Sequence, residues 1–410
     1  MNKHILIICD GMGDIPNPTL NNKTPLEAAK TPNLDRIAKK GQTGIMSVLG
    51  TGIRPNSDEA HLTLFGYDCK KDYPGRGPIE AAGIGIVLKE GDVAIRGNLA
   101  TVDENLTVID RRAGRIDDTS SFVKDFDGIE IDGVTFLVKP GTGHRIIIVM
   151  RGKGLSDKIT NSDVHYVTED KVVENWEGSK VNIPQPLDSS KESIFTAKVL
   201  QKFLEKTHEL LENNPLNKER EERGEPKGNY ILTRGPGYFK ELTPFKEKWN
   251  VSAACIAGAG LYKGLGVMAG MDLIEVLGAT GLPNTNVSAK INEAKKALNK
   301  YDFVFVHIKP TDIYGENGDC LGKKDFIEKI DLAINNLDKD LDENNAVICI
   351  TADHSTPCVY KDHSADPVPV LIYRKGLKGD GVEKFSEKEC LAGSLGKIEG
   401  KDFMKIFLSY

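Results

Sequence analysis

Four short runs of apolar residues constrain the fold of this chain most strongly. They are HILIIC (4–9), FVFVHI (303–308), AVICI (346–350) and PVPVLIY (367–373). Their residues do not alternate as in a half-exposed strand, which is typical of parallel strands buried on both faces. The prolines of the fourth run indicate an edge strand or a strand start. Helical patterns lie between the runs, at residues 31–40 and 324–338. Strands that alternate with helices predict an α/β fold with a mostly parallel sheet flanked by helices.

The middle of the chain has a different pattern. Shorter and more alternating strands are predicted at residues 91–102, 106–110 and 134–138. A charged stretch at residues 205–227 predicts a helix that ends in a solvated loop. Because 410 residues are many for one hydrophobic core, two domains are expected. We therefore predict a discontinuous domain of residues 1–71 and 241–410, interrupted by a smaller inserted α/β domain of residues 72–240.

Composition narrows the classes of function. The net charge of −6 argues against nucleic-acid and membrane-surface partners, which require a basic face. No apolar run approaches the length of a membrane span, and the apolar stretch near the start is too short for a signal peptide. Seven cysteines without a CxxC pair indicate a reducing cytoplasm. We expect a cytoplasmic protein, and its oligomeric state stays open.

Acidic residues and histidines follow the buried runs near the point where each run ends. Asp10 follows the first run, Asp312 the second, and Asp353 and His354 the third, while His363 precedes the fourth. Ligands of open α/β sheets bind beyond the carboxyl ends of the strands. Aspartate and histidine suit divalent ions such as Mn²⁺, Mg²⁺ or Zn²⁺, and two adjacent ions can clamp a transferring phosphoryl group. The sequence therefore predicts a metal site at this end of the sheet.

A candidate nucleophile stands at the predicted helix start Asn-Ser-Asp-Glu, where Ser57 lies at or near the N-cap. A serine oxygen there faces the positive end of the helix, where backbone N–H groups also accept phosphate. The alternative is an ordinary capping serine, which is the commoner role of serine in such a sequence.

Arginines are concentrated in the predicted inserted domain, which holds ten of the thirteen. The guanidinium group suits bidentate binding of phosphate and carboxylate. The cluster of Arg111, Arg112 and Arg115 follows a predicted strand. It is a candidate for anion binding, with a solvated turn as an equal alternative.

Several motifs together resemble a known family. They are the segments CDGM (9–12), NSDEAH (56–61), TD (311–312), DHSTP (353–357) and KDHSADPVP (361–369), with TPLEAAKTPNLD (24–35) and GRGPIEAAGIG (75–85). In order and spacing they resemble the archaeal-type, cofactor-independent phosphoglycerate mutases of the alkaline phosphatase superfamily. The resemblance implies an alkaline-phosphatase-like domain that carries an inserted substrate domain. It also implies interconversion of 3-phosphoglycerate and 2-phosphoglycerate in glycolysis and gluconeogenesis, through a phosphoserine, on two divalent metal ions and without bisphosphoglycerate.

The resemblance also implies roles for individual residues. Ser57 matches the serine that takes and returns the phosphoryl group and that binds the first metal. The other implied first-metal ligands are Asp10, Asp353 and His354. Asp312 and His363 match ligands of the second metal, and Lys263 matches a lysine that neutralises phosphoryl oxygens. His165 resembles a substrate-domain histidine, and Arg111, Arg112 and Arg115 are the predicted holders of the glycerate carboxylate.

This chain departs from the family pattern at one metal ligand. Glu316 stands where the family carries a second-metal histidine, four residues after Asp312. A carboxylate there either ligates, which favours Mn²⁺ or Mg²⁺ over Zn²⁺, or points to solvent. His61, four residues after Ser57, is either a site residue or a residue of the core or of the helix surface. Two related activities also stay open, a homoserine-kinase-like phosphotransfer and a metal-dependent phosphatase activity. A third alternative is a non-catalytic paralogue that binds phosphoesters.

Overall fold

The computed structural model describes residues 2–168, 171–173, 175–342 and 345–410. The chain divides into two compact units, a first unit of Met1–Tyr73 with Leu242–Tyr410 and a second unit of Pro74–Glu241. The sequence placed these boundaries at residues 71 and 240. The assignment of metal binding to one unit and substrate binding to the other stays a prediction.

Strands and helices alternate along most of the first unit, whereas the strands of the second unit follow one another more directly. The strands are β1 (Lys3–Cys9), β2 (Gln42–Ser47), β3 (Val93–Val102), β4 (Val108–Asp110), β5 (Ile129–Ile131), β6 (Val134–Pro140), β7 (Arg145–Arg151), β8 (Tyr166–Thr168), β9 (Lys171–Val172), β10 (Tyr230–Tyr238), β11 (Ala253–Ile256), β12 (Asp272–Leu273), β13 (Phe303–Ile308), β14 (Ala346–Thr351), β15 (Val368–Tyr373) and β16 (Gly396–Glu399). The α-helices are α1 (Pro25–Ala28), α2 (Pro32–Lys40), α3 (Ser57–Leu64), α4 (Cys69–Asp72), α5 (Arg76–Gly83), α6 (Ser120–Val123), α7 (Lys191–Glu212), α8 (Pro215–Glu222), α9 (Phe245–Trp249), α10 (Gly260–Met268), α11 (Val287–Ala297), α12 (Pro310–Glu316), α13 (Cys320–Ala333), α14 (Leu337–Asp342), α15 (Glu387–Cys390) and α16 (Gly400–Leu408).

The first unit is built on an eight-stranded sheet of order β12-β11-β13-β1-β14-β15-β2-β16. Five of its seven strand pairings are parallel. Strand β1 lies between β13 and β14 and is parallel to both, and every residue of β13 and β14 is buried. Full burial explains why these strands are apolar without alternation. The predicted α/β fold with a mostly parallel sheet is confirmed.

The fourth apolar run does not form an edge strand. β15 lies inside the sheet between β14 and β2, and it is antiparallel to both. Proline lacks only the N–H donor, and the carbonyl of Pro369 still accepts a hydrogen bond from the Thr351 hydroxyl at 2.9 Å. The edge interpretation was wrong, whereas a strand start directly after Pro367 agrees with the structure.

Two predicted helices are divided in the structure. The pattern at residues 324–338 belongs to α13 and α14, and Asn336 between them has a positive φ of 60° that no α-helix continues through. The charged stretch at residues 205–227 holds the end of α7 and the whole of α8. α8 begins at Pro215, directly after Asn214, whose side chain caps the helix.

The second unit is built on an antiparallel sheet of order β10-β3-β7-β6-β5, with β4 paired to β3. Its core joins this sheet to the long helix α7, and Phe136 and Phe203 stack with ring centroids 4.0 Å apart. Among the described helices, none has the length and apolar character that crossing a membrane requires.

Candidate active site

Three neighbouring parallel strands of the first unit end at one edge of the sheet. Asp10 directly follows β1, and Asp353 and His354 follow β14. Strand β13 continues through Lys309 into the short helix α12, which carries Asp312. The side chains of Asp10, Asp353, His354 and Asp312 are buried almost completely. The parallel register therefore brings together residues that are distant in the chain, as the sequence predicted.

The first ligand set consists of Asp10, Asp353 and His354. The Nε2 atom of His354 lies 3.3 Å from Oδ1 of Asp10 and 3.2 Å from Oδ2 of Asp353. In the described part of the chain neither of these buried carboxylate oxygens has a hydrogen-bond partner. Buried carboxylate oxygens without partners are costly. A divalent cation would satisfy both, so the donor set fits a metal ion.

The second ligand set consists of Asp312, His354 and His363. Nε2 of His363 lies 3.4 Å from Oδ1 of Asp312. The imidazole rings of His354 and His363 stack with their centroids 3.7 Å apart. Nδ1 of His363 donates to the Pro55 carbonyl at 3.0 Å. This hydrogen bond leaves Nε2 as the free lone pair, which is the usual arrangement of a metal-binding histidine.

The hydroxyl of Thr356 fixes the tautomer of His354 in the same way. It donates to Oδ1 of Asp312 at 2.8 Å, so its oxygen is the acceptor for Nδ1 of His354 at 3.1 Å. Nε2 of His354 therefore carries the lone pair that faces Asp10 and Asp353.

Ser57 lies within this group. It is the first residue of α3, its side chain is buried, and its Oγ is 3.2 Å from Nε2 of His354. His61 is fully buried one helical turn later and donates from Nδ1 to the Ser57 carbonyl at 2.7 Å. His61 is therefore part of the core and a neighbour of Ser57, and a role for it in the site stays a prediction.

Sequence reasoning missed three polar neighbours of Asp10. Lys309 Nζ and His307 Nε2 lie 3.2 Å and 3.1 Å from Oδ2 of Asp10, and the hydroxyl of Tyr262 donates to the same oxygen. All three stand beside residues that the motifs did single out. Their side-chain directions depend on the packing of β13 and α10, which the sequence does not show.

The electrostatics of the site favour a cation. Burial alone would raise the pKa of Asp10, but Lys309 and His307 outweigh it and hold this pKa well below the usual range. Burial would lower the pKa of His354, but the carboxylates of Asp353 and Asp10 raise it to about 9. A positive charge at this position is therefore stabilised, whether it is a proton on His354 or a bound metal ion.

Two predicted residues lie apart from the ligand sets. Glu316 is the last residue of α12, is largely exposed, and belongs to neither ligand set. The part of its carboxyl group that is shielded from solvent and the nearby charge of Asp312 raise its pKa. Lys263, on α10, places Nζ 2.7 Å and 2.8 Å from the two carboxylate oxygens of Glu275. Ligation by Glu316 and phosphoryl contact by Lys263 stay predictions.

The predicted arginine cluster of the second unit is a turn after β4. Arg111 forms a bidentate pair with buried Asp163, at 2.8 Å and 2.6 Å. Arg112 and Arg115 are exposed. His165 donates from Nδ1 to the Val173 carbonyl at 2.8 Å. In this arrangement the charge of Arg111 is already balanced, and the solvated-turn interpretation describes Arg112 and Arg115.

Two other arginines of the second unit, Arg96 and Arg234, carry hydrogen-bond donors without a partner among the described residues. Arg96 and Arg76 share the carboxylate of Glu80, at 3.0 Å and 3.1 Å. Arg234 stands opposite Arg96 across the β3–β10 pairing. Among the described side chains, Nη1 of Arg96, Nε of Arg234 and Nδ2 of Asn161 are buried without a hydrogen-bond partner. Burial lowers the pKa of Arg96 to about 10, which Glu80 only partly offsets. We call Arg76, Arg96, Arg234 and Asn161 the donor cluster, and its chemistry suits an anion.

The fold and the paired ligand sets define the class of protein, a metal-dependent α/β enzyme, and residues 2–410 match the family described as the Metalloenzyme superfamily. The chain is 45% identical over 408 residues to the 2,3-bisphosphoglycerate-independent phosphoglycerate mutase 1 of Methanocaldococcus jannaschii. This match covers 99% of this chain and 96% of that protein. It is 47% identical over 409 residues to the protein of the same name from Archaeoglobus fulgidus, with 98% and 97% covered. The chain belongs to the family of 2,3-bisphosphoglycerate-independent phosphoglycerate mutases.

Solved structures agree with this membership. The cofactor-independent phosphoglycerate mutase of Thermoplasma acidophilum is 36% identical with a TM-score of 0.74, over 100% of this chain and 99% of that one. A protein of Pyrococcus horikoshii is 34% identical with a TM-score of 0.83, over 100% and 97% of the two chains. The resemblance inferred from the motifs is confirmed.

Proposed function

We propose that this chain interconverts 3-phosphoglycerate and 2-phosphoglycerate, without bisphosphoglycerate, through a phosphoserine at Ser57. The observation that carries the proposal is the position of Ser57 Oγ, 3.2 Å from Nε2 of His354, which itself lies beside carboxylate oxygens of Asp10 and Asp353 that have no hydrogen-bond partner among the described residues. Relatives that cover nearly the whole chain are named for this reaction. A serine so placed is an activated nucleophile rather than a simple helix cap.

Two divalent ions, when bound, supply positive charge that favours the serine alkoxide and neutralises the phosphoryl oxygens. Asp10, Asp353 and His354 would hold the first ion, and Asp312 and His363 the second. The mixture of carboxylate and imidazole suits Mn²⁺, Mg²⁺ or Zn²⁺, and Glu316 as a further ligand would favour the first two.

The residues of the chain then have distinct tasks. Ser57 Oγ forms a bond to phosphorus while the bond from phosphorus to the 3-oxygen of the substrate breaks, and the proton given up by the serine hydroxyl ends on that 3-oxygen. The 2-hydroxyl then reverses this step, forming its own bond to phosphorus while the bond to Ser57 Oγ breaks and its proton returns to the serine. The amide groups at the start of α3 face the transferring phosphoryl group. His61 holds the Ser57 carbonyl and so keeps the serine in place. Lys263 would neutralise phosphoryl oxygens once it leaves Glu275.

We also propose that the donor cluster, rather than Arg112 or Arg115, binds the glycerate carboxylate. A carboxylate offers acceptors for Nη1 of Arg96, Nε of Arg234 and Nδ2 of Asn161, which have no hydrogen-bond partner in the part of the chain that the structure describes. Its charge would balance the excess of guanidinium groups around Glu80.

The test is phosphorus NMR of the purified chain with 3-phosphoglycerate and Mn²⁺, without nucleotide or bisphosphoglycerate. We expect 2-phosphoglycerate to form, and Ser57→Ala to abolish its formation, while Ser409→Ala at an exposed serine retains it. Release of inorganic phosphate in place of 2-phosphoglycerate would show a phosphatase and overturn the proposal. Absence of any conversion, together with phosphorylation of homoserine when ATP is added, would show the kinase-like reaction.

A further inference from the structure

Lys309 contacts one aspartate from each ligand set. Its Nζ lies 3.2 Å from Oδ2 of Asp10 and 2.8 Å from Oδ2 of Asp312. The other oxygen of each aspartate lies beside a histidine, with Oδ1 of Asp10 at 3.3 Å from His354 Nε2 and Oδ1 of Asp312 at 3.4 Å from His363 Nε2. Each aspartate thus faces the ammonium with one oxygen and the ligand imidazoles with the other.

The ammonium group is held firmly in this position. The Tyr262 hydroxyl lies 3.3 Å from Lys309 Nζ and itself donates to Asp10. Nζ also lies 5.6 Å from the centroid of the Tyr262 ring, and the Lys309 side chain is only 24% exposed. The three N–H donors of the lysine therefore have three oxygen atoms within reach.

The positive charge of Lys309 balances the negative charge of the buried carboxylates, which packing of its side chain alone would not do. Asp10, Asp312 and Asp353 are buried together with little or no solvent contact. Buried carboxylates without a counter-charge are strongly unfavourable. A metal ion provides this counter-charge only when it is bound, whereas Lys309 is part of the chain and is always present.

We propose that Lys309 is a built-in counter-charge for Asp10 and Asp312 before metal binds. The inference rests on the two ligand sets of the proposed function but concerns metal loading rather than the reaction. Because Lys309 and the metal ions balance the same carboxylates, each contributes less to the stability of the folded chain when the other is present. Loss of Lys309 should therefore harm the metal-free protein more than the metal-loaded protein.

The test compares thermal unfolding of the whole chain in EDTA and in saturating Mn²⁺. We expect Lys309→Met to lower the Tm mainly in EDTA, so that Mn²⁺ raises its Tm more than that of the wild type. The corresponding gain in Mn²⁺ affinity, measured by calorimetry, should be on the order of tenfold, the scale of one charge interaction in a partly buried site. Lys309→Arg keeps the charge and should respond to Mn²⁺ as the wild type does.

Lys40→Met is the matched control, because Lys40 places Nζ 2.9 Å from the buried carboxylate of Asp338, outside both ligand sets. It should shift the two melting temperatures equally. If Lys309→Met lowers the Tm equally in EDTA and in Mn²⁺, Lys309 contributes only packing. If Mn²⁺ raises the Tm of Lys309→Met less than that of the wild type, Lys309 only orients the ligands. Either result overturns the proposal. If Lys309→Met does not fold, Lys309→Gln serves the same comparison.

Mutase activity is measured separately on the same samples. The comparison of wild type with Lys309→Met in EDTA and in Mn²⁺ does not depend on turnover, so it still tests the counter-charge if the proposed reaction proves wrong. If the wild type is active but Lys309→Met responds to Mn²⁺ as the wild type does, only the counter-charge proposal is overturned.

Discussion

Ser57 Oγ and His354 Nε2 lie 3.2 Å apart although the two residues are separated by 297 positions in the chain. Ser57 begins α3, and His354 follows β14, one of the two strands that flank β1. Each residue by itself has an ordinary explanation, as a helix-start serine or as a polar residue at a strand end. The distance between them brings the candidate nucleophile and the candidate metal ligands into one site.

Gly11 permits the close approach of Asp10 to the other ligands, so Gly11→Ala should damage the site. Gly11 has a φ of +60°, and a Cβ there would lie 2.9 Å from Cα of Asp312 and also overlap the Thr356 hydroxyl. We expect a loss of about 2–4 kcal/mol in the free energy of unfolding, from left-handed strain and overlap together. Gly52→Ala is the control, because Gly52 has a φ of +77° with open space around it. Equal losses in denaturant unfolding would show that overlap at Gly11 is unimportant.

Glu316 decides between two forms of the second metal site. If Glu316 ligates, Glu316→Gln should weaken binding of the second Mn²⁺ on the order of tenfold, because the site loses one ligand charge. Glu316→His should then raise the affinity for Zn²⁺ relative to Mn²⁺. Metal content and affinity, measured by mass spectrometry and calorimetry, test this. Glu383→Gln, at a side chain 79% exposed, is the control. Unchanged Mn²⁺ binding in Glu316→Gln would mean that Glu316 points to solvent.

Arg234 should matter for substrate binding more than the arginines that the sequence singled out. Its Nε is buried without a partner among the described residues, whereas Arg115 is exposed. We expect Arg234→Gln to raise the KM for 3-phosphoglycerate by about 10-fold or more, since a charge-assisted bond contributes roughly 1.5–3 kcal/mol. Arg115→Gln should change KM little. Steady-state kinetics with both variants test the donor cluster, and an equal effect of the two substitutions would contradict it.

Glu387 should make stability depend on pH. Burial raises the pKa of Glu387 to about 7 from an ordinary value of 4.5, although the Thr24 hydroxyl and the Asp14 amide donate to it. The folded chain then binds this proton more tightly than the unfolded chain. The free energy of unfolding should therefore fall as pH rises from about 4.5 to about 7, by up to about 3 kcal/mol from this group.

Glu387→Gln is the comparison for that pH dependence. The amide does not titrate and retains an oxygen for the Asp14 amide, so the fall in stability between these pH values should be smaller than in the wild type. Urea unfolding at a series of pH values measures it. Parallel pH profiles for the two proteins would show that Glu387 does not titrate in this range.

Much of the fold and of the candidate metal site follows from local sequence patterns. β13 matches its predicted run residue for residue, because a strand buried on both faces is mostly apolar. Asp10, Asp353 and His354 were identifiable as candidate ligands for the same reason, since they come at or shortly after the ends of such strands. By contrast, the apolar run of β15 says nothing about its neighbours, so its antiparallel place inside the sheet was not predictable.

The sequence by itself determined the α/β class, the order of the ligands along the chain and the family, because burial, strand ends and motif spacing are local properties. Only the tertiary structure decided that Lys309 contacts an aspartate of each ligand set and that Arg96 stands opposite Arg234 across a strand pairing. It also decided that Arg111 is already paired with Asp163. The physical reason is that charge balance and unmet hydrogen bonds arise between side chains that only packing and strand register bring together.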